Sequence, residues 1–239
     1  LHVPGYVTIP AEGTTVDAAI HSEGAALTPD ADTYGNVTLG AFEITKLVSI
    51  SKSVERMSMD AFESWLVKKI AKKIAVKIGS LSYYGTGVNE AQGINAIPWT
   101  ESNSVTVAAD ASLTAANVKA AVGKLNGGYD DGAEWFMNKT EFMNSYHPLM
   151  NNSKDNIVTY DNGKYYVMGY LVNWDDRVLG HDAFLGNFDM GYAGNMAEEI
   201  NVTSAFNVRE NAYDFLGAAM FDGKVKAIEA FVKISKASA

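Results

Sequence analysis

Between residues 58 and 79, apolar side chains recur with a helical period. Leu66, Val67, Ile70, Ala71, Ile74, Ala75 and Ile78 fall on one half of a wheel that turns about 100° per residue. Lys68, Lys69, Lys72, Lys73 and Lys77 fall on the other half. Asp60 and Glu63 stand where a capping box would start such a helix, and Gly79 where it would stop. The pattern predicts one long amphipathic helix, packed on one side and covered with lysine on the other. That face lacks the Glu–Lys pairs that usually neutralise a helix surface. It reads either as a solvated surface or as a contact for an anionic partner: nucleic acid, an acidic lipid surface, or an acidic segment of a neighbouring chain.

The period changes elsewhere. Phe42 to Ile50 begins by alternating, with Phe42 and Ile44 on one side and Glu43 and Thr45 on the other, which predicts a strand. Further strands are predicted at 133–138, 165–172, 183–188, 201–208, 214–221 and 225–232. Phe221-Asp222-Gly223-Lys224-Val225 reads as a tight hairpin turn between two of them. Ser112 to Leu125 reads as a helix ending at Asn126-Gly127-Gly128, and a short helix is predicted near 139–145. The fold class is therefore α+β rather than an alternating doubly wound sheet.

Residues 1–41 hold few large apolar side chains. Turn signals at Gly13-Thr14-Thr15, Thr28-Pro29-Asp30 and Tyr34-Gly35-Asn36 break them into short extended pieces. A polar hairpin of this kind cannot bury itself on its own. It is expected to project and find its burial on another chain, unless it is simply a long flexible loop.

Composition narrows the function. The chain has 239 residues, 47% of them hydrophobic, enough for one large domain or two small ones with a core that needs no cross-links. With no cysteine, it has no disulfide, thiolate nucleophile or cysteine-based metal site. No stretch approaches about 18 consecutive apolar residues, so no membrane-spanning helix is expected. The opening Leu1-His2-Val3-Pro4-Gly5 carries neither a secretion leader nor a starting methionine, which fits a trimmed or proteolytically matured chain.

The net charge of −9 argues against wrapping nucleic acid by bulk charge. It is unevenly spread. Residues 1–50 set Glu12, Asp17, Glu23, Asp30, Asp32 and Glu43 against Lys46 alone. Residues 51–79 carry a net +4, and the remainder a net −8. An acidic arm thus precedes a basic helix. One expectation is that the two attract each other between neighbouring chains, and the competing one is that the lysines face nucleic acid.

Candidate chemistry is sparse. Gly85-Thr86-Gly87 has Glu90 where a dinucleotide fingerprint needs glycine, and no lysine for a phosphate loop. It reads as a turn between two layers. His2, His21, His147 and His181 have no metal-ligand spacing, and no Gly-x-Ser-x-Gly nucleophile turn occurs. Asp175, Asp176, His181, Asp182 and Asp189 follow Trp174 and could act as a glycosidase acid pair or hold calcium, although acidic residues in turns are common. Asn36-Val37-Thr38, Asn138-Lys139-Thr140 and Asn201-Val202-Thr203 match a glycosylation signal short enough to arise by chance.

The order of elements resembles a tailed-bacteriophage major capsid protein with the Hong Kong 97 fold. Lys46 to Ser51 resembles that family's entry to its spine helix, and residues 58–79 follow where the spine should lie. Gly85-Thr86-Gly87 followed by Gln92-Gly93-Ile94, Ala133 to Asn138, Met168 to Val172 and Leu185 to Phe188 resemble family segments in family order. Asp222-Gly223-Lys224-Val225 with Ala230-Phe231-Val232 resembles its ending. Leu171 replaces a family proline, and no lysine precedes Lys46 to cross-link through the extended loop.

The resemblance implies an arm and extended loop over 1–50, a peripheral domain with the spine helix over 51–100 and 205–228, and an axial domain over 101–204 and 229–239. It implies a structural protein without cofactor or metal. Copies would form hexamers and pentamers that enclose double-stranded DNA in a virion capsid assembled in the bacterial cytoplasm. Its partners would be itself, a scaffolding segment or protease, a portal, and DNA without sequence preference, but no membrane. An encapsulin-like compartment shell is the alternative, and a carbohydrate-active enzyme a distant one.

Overall fold

The apolar periods are realised in a computed structural model that describes residues 1–12, 34–51, 59–151 and 156–237. In chain order the principal elements begin with β1 (Val7–Glu12), β2 (Tyr34–Leu39), β3 (Phe42–Ser51) and α1 (Met59–Tyr84). Then come β4 (Ser104–Val107), α2 (Ala115–Val122), β5 (Glu134–Met137) and α3 (Lys139–Glu141). β6 (Val158–Asp161), β7 (Lys164–Val167), β8 (Tyr170–Trp174), β9 (Asp182–Gly186) and α4 (Phe188–Gly191) follow. The last are β10 (Tyr192–Asn207), β11 (Ala212–Val225) and β12 (Phe231–Lys236).

They form three sheets. β1 and β2 make an antiparallel ribbon with Val7 opposite Leu39 and Ile9 opposite Val37, so its apolar side chains share one side. β10, β11 and β3 make a small antiparallel sheet. The large sheet runs β4-β12-β9-β5-β8-β7-β6, with parallel pairs at β4–β12 and β5–β8.

α1 lies on the small sheet. Leu66, Ile70, Ile74, Ile78 and Leu81 are buried against Phe215, Ala219 and Phe221. Each aliphatic side chain so buried contributes roughly 1.5–3 kcal/mol. At Gly217 the helix packs directly on bare backbone, where a Cβ would overlap Ile70 and Ile74. The large sheet has its own core around Trp135, Phe142, Tyr146 and Leu185, capped by α2. A third cluster, rich in aromatic rings, lies where the two meet: Tyr83, Ile94, Tyr129, Phe184 and Phe231, with Phe136 and Phe188 against them.

Several sequence expectations change. The helix does not stop at Gly79 but runs on to Tyr84. The residues before Met59 lie outside those described, as does the Asp60 side chain of the expected capping box. The helix expected over 112–125 contracts to α2, whose N-cap Thr114 accepts a hydrogen bond from the Asn117 backbone N–H in a capping box. The helix near 139–145 becomes α3 followed by a π-turn over Phe142–Tyr146. The strand at 165–172 is two strands, β7 and β8, folded at Met168 and Gly169, both with positive φ. The expected turn at 221–225 lies inside β11, and the hairpin turns instead at 208–211. Asp222 is buried there by accepting hydrogen bonds from the backbone N–H groups of Gly40 and Gly223, at 2.5 and 2.7 Å. Residues 192–204, expected in the axial part, pair along β11 in the sheet that carries α1. Residues 42–50, expected in the arm, pair there as β3.

Gly217→Val inserts branched carbons where Ile70 and Ile74 meet the sheet. We expect a loss of about 1–3 kcal/mol in urea unfolding, as overpacked cores show.

Candidate assembly surfaces and the interdomain clasp

All five lysines of the helix face, Lys68, Lys69, Lys72, Lys73 and Lys77, are exposed. Lys69 Nζ sits 4.7 Å from the ring centre of Trp65, which stacks on Phe62 at 5.7 Å. Both rings are exposed. Lys77 lies near Glu90, whose Oε1 accepts hydrogen bonds from the Thr86 backbone N–H and hydroxyl, each at 3.0 Å. Those bonds, with the Lys77 charge, hold the Glu90 carboxyl below its ordinary value.

Of the acidic arm, Asp17, Glu23, Asp30 and Asp32 lie outside the described residues, as does the Glu12 side chain. Glu43 is exposed on the side of the small sheet turned away from α1, opposite Met220. So Glu43 and the lysine face do not meet within one chain. The root of the arm is fastened to its own chain. The Leu1 amine donates to the Gly194 carbonyl and the Met196 N–H to the Leu1 carbonyl, each at 2.9 Å. Asn195 bonds both backbone groups of Val3, and Leu39 is fully buried. This corrects the expectation that the whole arm is buried only on another chain.

The C-terminal end of α1 enters a polar clasp built by the large sheet. Tyr83 donates its hydroxyl to Asp175 Oδ2 at 3.1 Å, and Tyr84 donates to Asp182 Oδ2 at 3.0 Å. The Tyr84 oxygen accepts the Leu179 N–H at 2.9 Å. Arg177 grips Asp175 through Nε and Nη2 at 2.7 and 2.6 Å, while its own N–H donates to Asp175 Oδ1. The Arg177 guanidinium lies where a Cβ on Gly79 would stand, so Gly79 is a seat rather than a helix stop. Lys233 Nζ pairs with Asp182 Oδ1 at 2.9 Å and donates to Asn95 Oδ1 at 2.8 Å.

Burial works to raise the Asp175 carboxyl, but the Arg177 bonds and charge and the Tyr83 hydroxyl outweigh it and leave Asp175 below its ordinary value. Burial, then the neighbouring carboxylate, pushes the Tyr83 hydroxyl up, so it stays a donor. Tyr84 is likewise pushed up, by burial and by Asp182 against the opposing Leu179 N–H.

A model of the phage capsid family matches residues 3–236. The chain belongs to the phage capsid family. The fold agrees. The capsid of an empty GTA particle superposes with a TM-score of 0.78 and 19% identity, over 100% of this chain and 87% of that one. A Mycobacterium phage Adephagia chain gives 0.69 and 12%, over 100% and 88%. A chain of the holo-SrpI encapsulin complex from Synechococcus elongatus PCC 7942 gives 0.70 and 10%, over 98% and 83%. No curated protein sequence matches significantly.

This capsid subunit has the α+β, Hong Kong 97-like architecture that its motif order implied. Its acidic cluster is not gathered into one site. Asp175 and Asp182 are held in the clasp, Asp176 and His181 are exposed, and Asp189 lies on α4, where its carbonyl accepts a hydrogen bond from Lys226. Among the described residues no group of acidic or histidine side chains could hold a metal ion. Sequence reasoning missed Tyr83, Tyr84, Arg177 and Lys233. A signal was present: Lys233 interrupts the apolar run Phe231, Val232, Ile234, and a tyrosine pair ends an otherwise lysine-faced helix.

Two measurements check the clasp. The Lys233 and Asp182 side chains are only 12% and 13% exposed, so Lys233→Met strands a carboxylate. We expect a cost of about 3–5 kcal/mol in urea unfolding, partly recovered by adding Asp182→Asn. A depressed carboxyl contributes stability above its unfolded pKa, near 3.9, and loses it as pH falls through the lower folded value. Unfolding free energies measured from about pH 7 down to about pH 2 should therefore fall less steeply in Asp175→Asn than in the parent.

Proposed function

We propose that this subunit assembles with copies of itself into hexamers and pentamers that close an icosahedral shell around double-stranded DNA. The shell is the virion capsid, built in the host cytoplasm with a scaffolding segment or protease and a portal. The observation that carries this reading is the β1–β2 ribbon. Two strands alone are marginal in water, and Val7, Ile9 and Val37 remain only half-buried on their own chain. A neighbouring copy supplies the missing cover. The role is structural.

The acidic arm and the lysine face complement each other in the same arrangement. Glu12, Asp17, Glu23, Asp30, Asp32 and Glu43 of one copy approach Lys68, Lys69, Lys72, Lys73 and Lys77 of the next. An exposed pair is worth about 0–1 kcal/mol, so the attraction matters only when a lattice repeats it. The likeness to an encapsulin chain supports a second reading, a shell around an enclosed cargo.

Electron microscopy of the purified chain tests the assembly, and the nucleic acid content of shells formed in the host separates the two readings. For the charged contact, Lys69→Glu, Lys73→Glu and Lys77→Glu are combined. We expect the triple variant to assemble poorly at low salt, with the difference from the parent shrinking as salt rises. Equal assembly of both at low salt would falsify the arm–lysine contact.

A further inference from the structure

The clasp sits at one end of a lever. α1 has 26 residues and is about 39 Å long, so each degree of tilt at the clasp moves its far end about 0.7 Å. α1 carries the small sheet, while Asp175, Asp182 and Lys233 belong to the large sheet or its β8–β9 loop. The tilt of α1 at its last turn therefore contributes directly to the angle between the two sheets, beside the junction that Gly191 and Lys226 make at the ends of β10 and β11.

Two kinds of contact could hold that angle. The aromatic cluster has Tyr83 against Phe184 at 6.1 Å and Phe188 at 5.9 Å, with Phe136 on Phe188 at 4.7 Å. Such burial resists separation but depends weakly on direction. Hydrogen bonds fall off steeply with angle. Tyr83 and Tyr84 are consecutive, so their hydroxyls leave the helix in different directions and reach different carboxylates. Two bonds on diverging arms fix both the tilt and the roll of the helix end. Arg177 and Lys233 hold the carboxylates in turn, one against the bare backbone of Gly79 and one beside the Phe184 ring.

We propose that the Tyr83–Asp175–Arg177 and Tyr84–Asp182–Lys233 arms set the angle between the two sheets, and through it the curvature and diameter of the assembled shell. Tyr83 and Tyr84 are positioning residues that act through the lever. The curvature step rests on the shell-subunit reading above, but the angle step does not.

The chain has no cysteine, so a pair of spin labels can be placed without background. Lys72→Cys on the exposed helix face and Lys164→Cys on β7 are labelled in the unassembled protein, and their distance distribution is measured. The Tyr83→Phe, Tyr84→Phe double variant keeps both rings and removes both hydroxyls. We expect one narrow distance in the parent and a broadened or shifted distribution in the variant, with unchanged circular dichroism. Shells of the variant are expected to lose their single diameter in electron micrographs. If the double variant does not fold, Tyr84→Phe alone keeps the Asp175 arm and should show a smaller change of the same kind. An unchanged distance distribution in a folded variant overturns the angle step. A broadened distribution with an unchanged single diameter overturns the curvature step. Failure of the parent itself to form any shell would tell against the shell-subunit reading, and the distance measurement would still decide the angle.

Discussion

One helix has to satisfy two cores at once. The apolar side of α1 is buried on the small sheet, while its last turn puts Tyr83 into the aromatic cluster shared with the large one. Moving the helix to improve one contact would strain the other. Close-packed interiors do not absorb such shifts continuously. The bare backbone at Gly217 and at Gly79 is what lets both contacts close. The first admits Ile70 and Ile74 to the sheet, and the second admits the Arg177 guanidinium to the helix.

Polar groups mark the places where the chain passes between layers. Asp222, Asn187 and Asn195 are buried, and each meets backbone groups of a distant segment: Gly40, Asp131 and Val3 in turn. Burying such groups is tolerable only because each has partners. Apolar contact could have joined the same segments, but without fixing their register. The clasp follows the same logic with charged groups, where geometry counts for more and a lost partner costs more. In a phage capsid subunit, this divides the work. Apolar packing holds each layer together, and directional bonds hold the layers in relation.

Much of this was legible. Leu66, Ile70, Ile74 and Ile78 announced a packed helix face, and all four are buried. The alternation in 42–50 announced β3. The motif order announced the family. The errors are instructive because they share a cause. By residue type and local context, Gly79 and Asp222-Gly223 are breakers. Both lie inside regular elements because a distant group uses the space or the polar atoms that the residue offers: Arg177 over Gly79, and the Gly40 N–H on Asp222. By residue type alone, the acidic cluster after Trp174 suits sugar chemistry, a calcium site or turns. Its partners, Tyr83, Tyr84, Arg177 and Lys233, gave no periodic signal that would group them.

Periodicity, capping residues and charge runs are local properties of a chain. They determined the helix, most of the strands, the lysine face and the contrast between an acidic arm and a basic helix. The tertiary structure alone decided where the helix ends, which strand carries Asp222, that residues 192–204 belong with the helix-bearing sheet, and what the carboxylates are for. Tyr83 and Asp175 are 92 residues apart, and Lys233 and Asn95 are 138 apart. Bonds over such separations exist only once both layers have folded. Their partners are chosen by proximity in space, which no spacing along the sequence encodes.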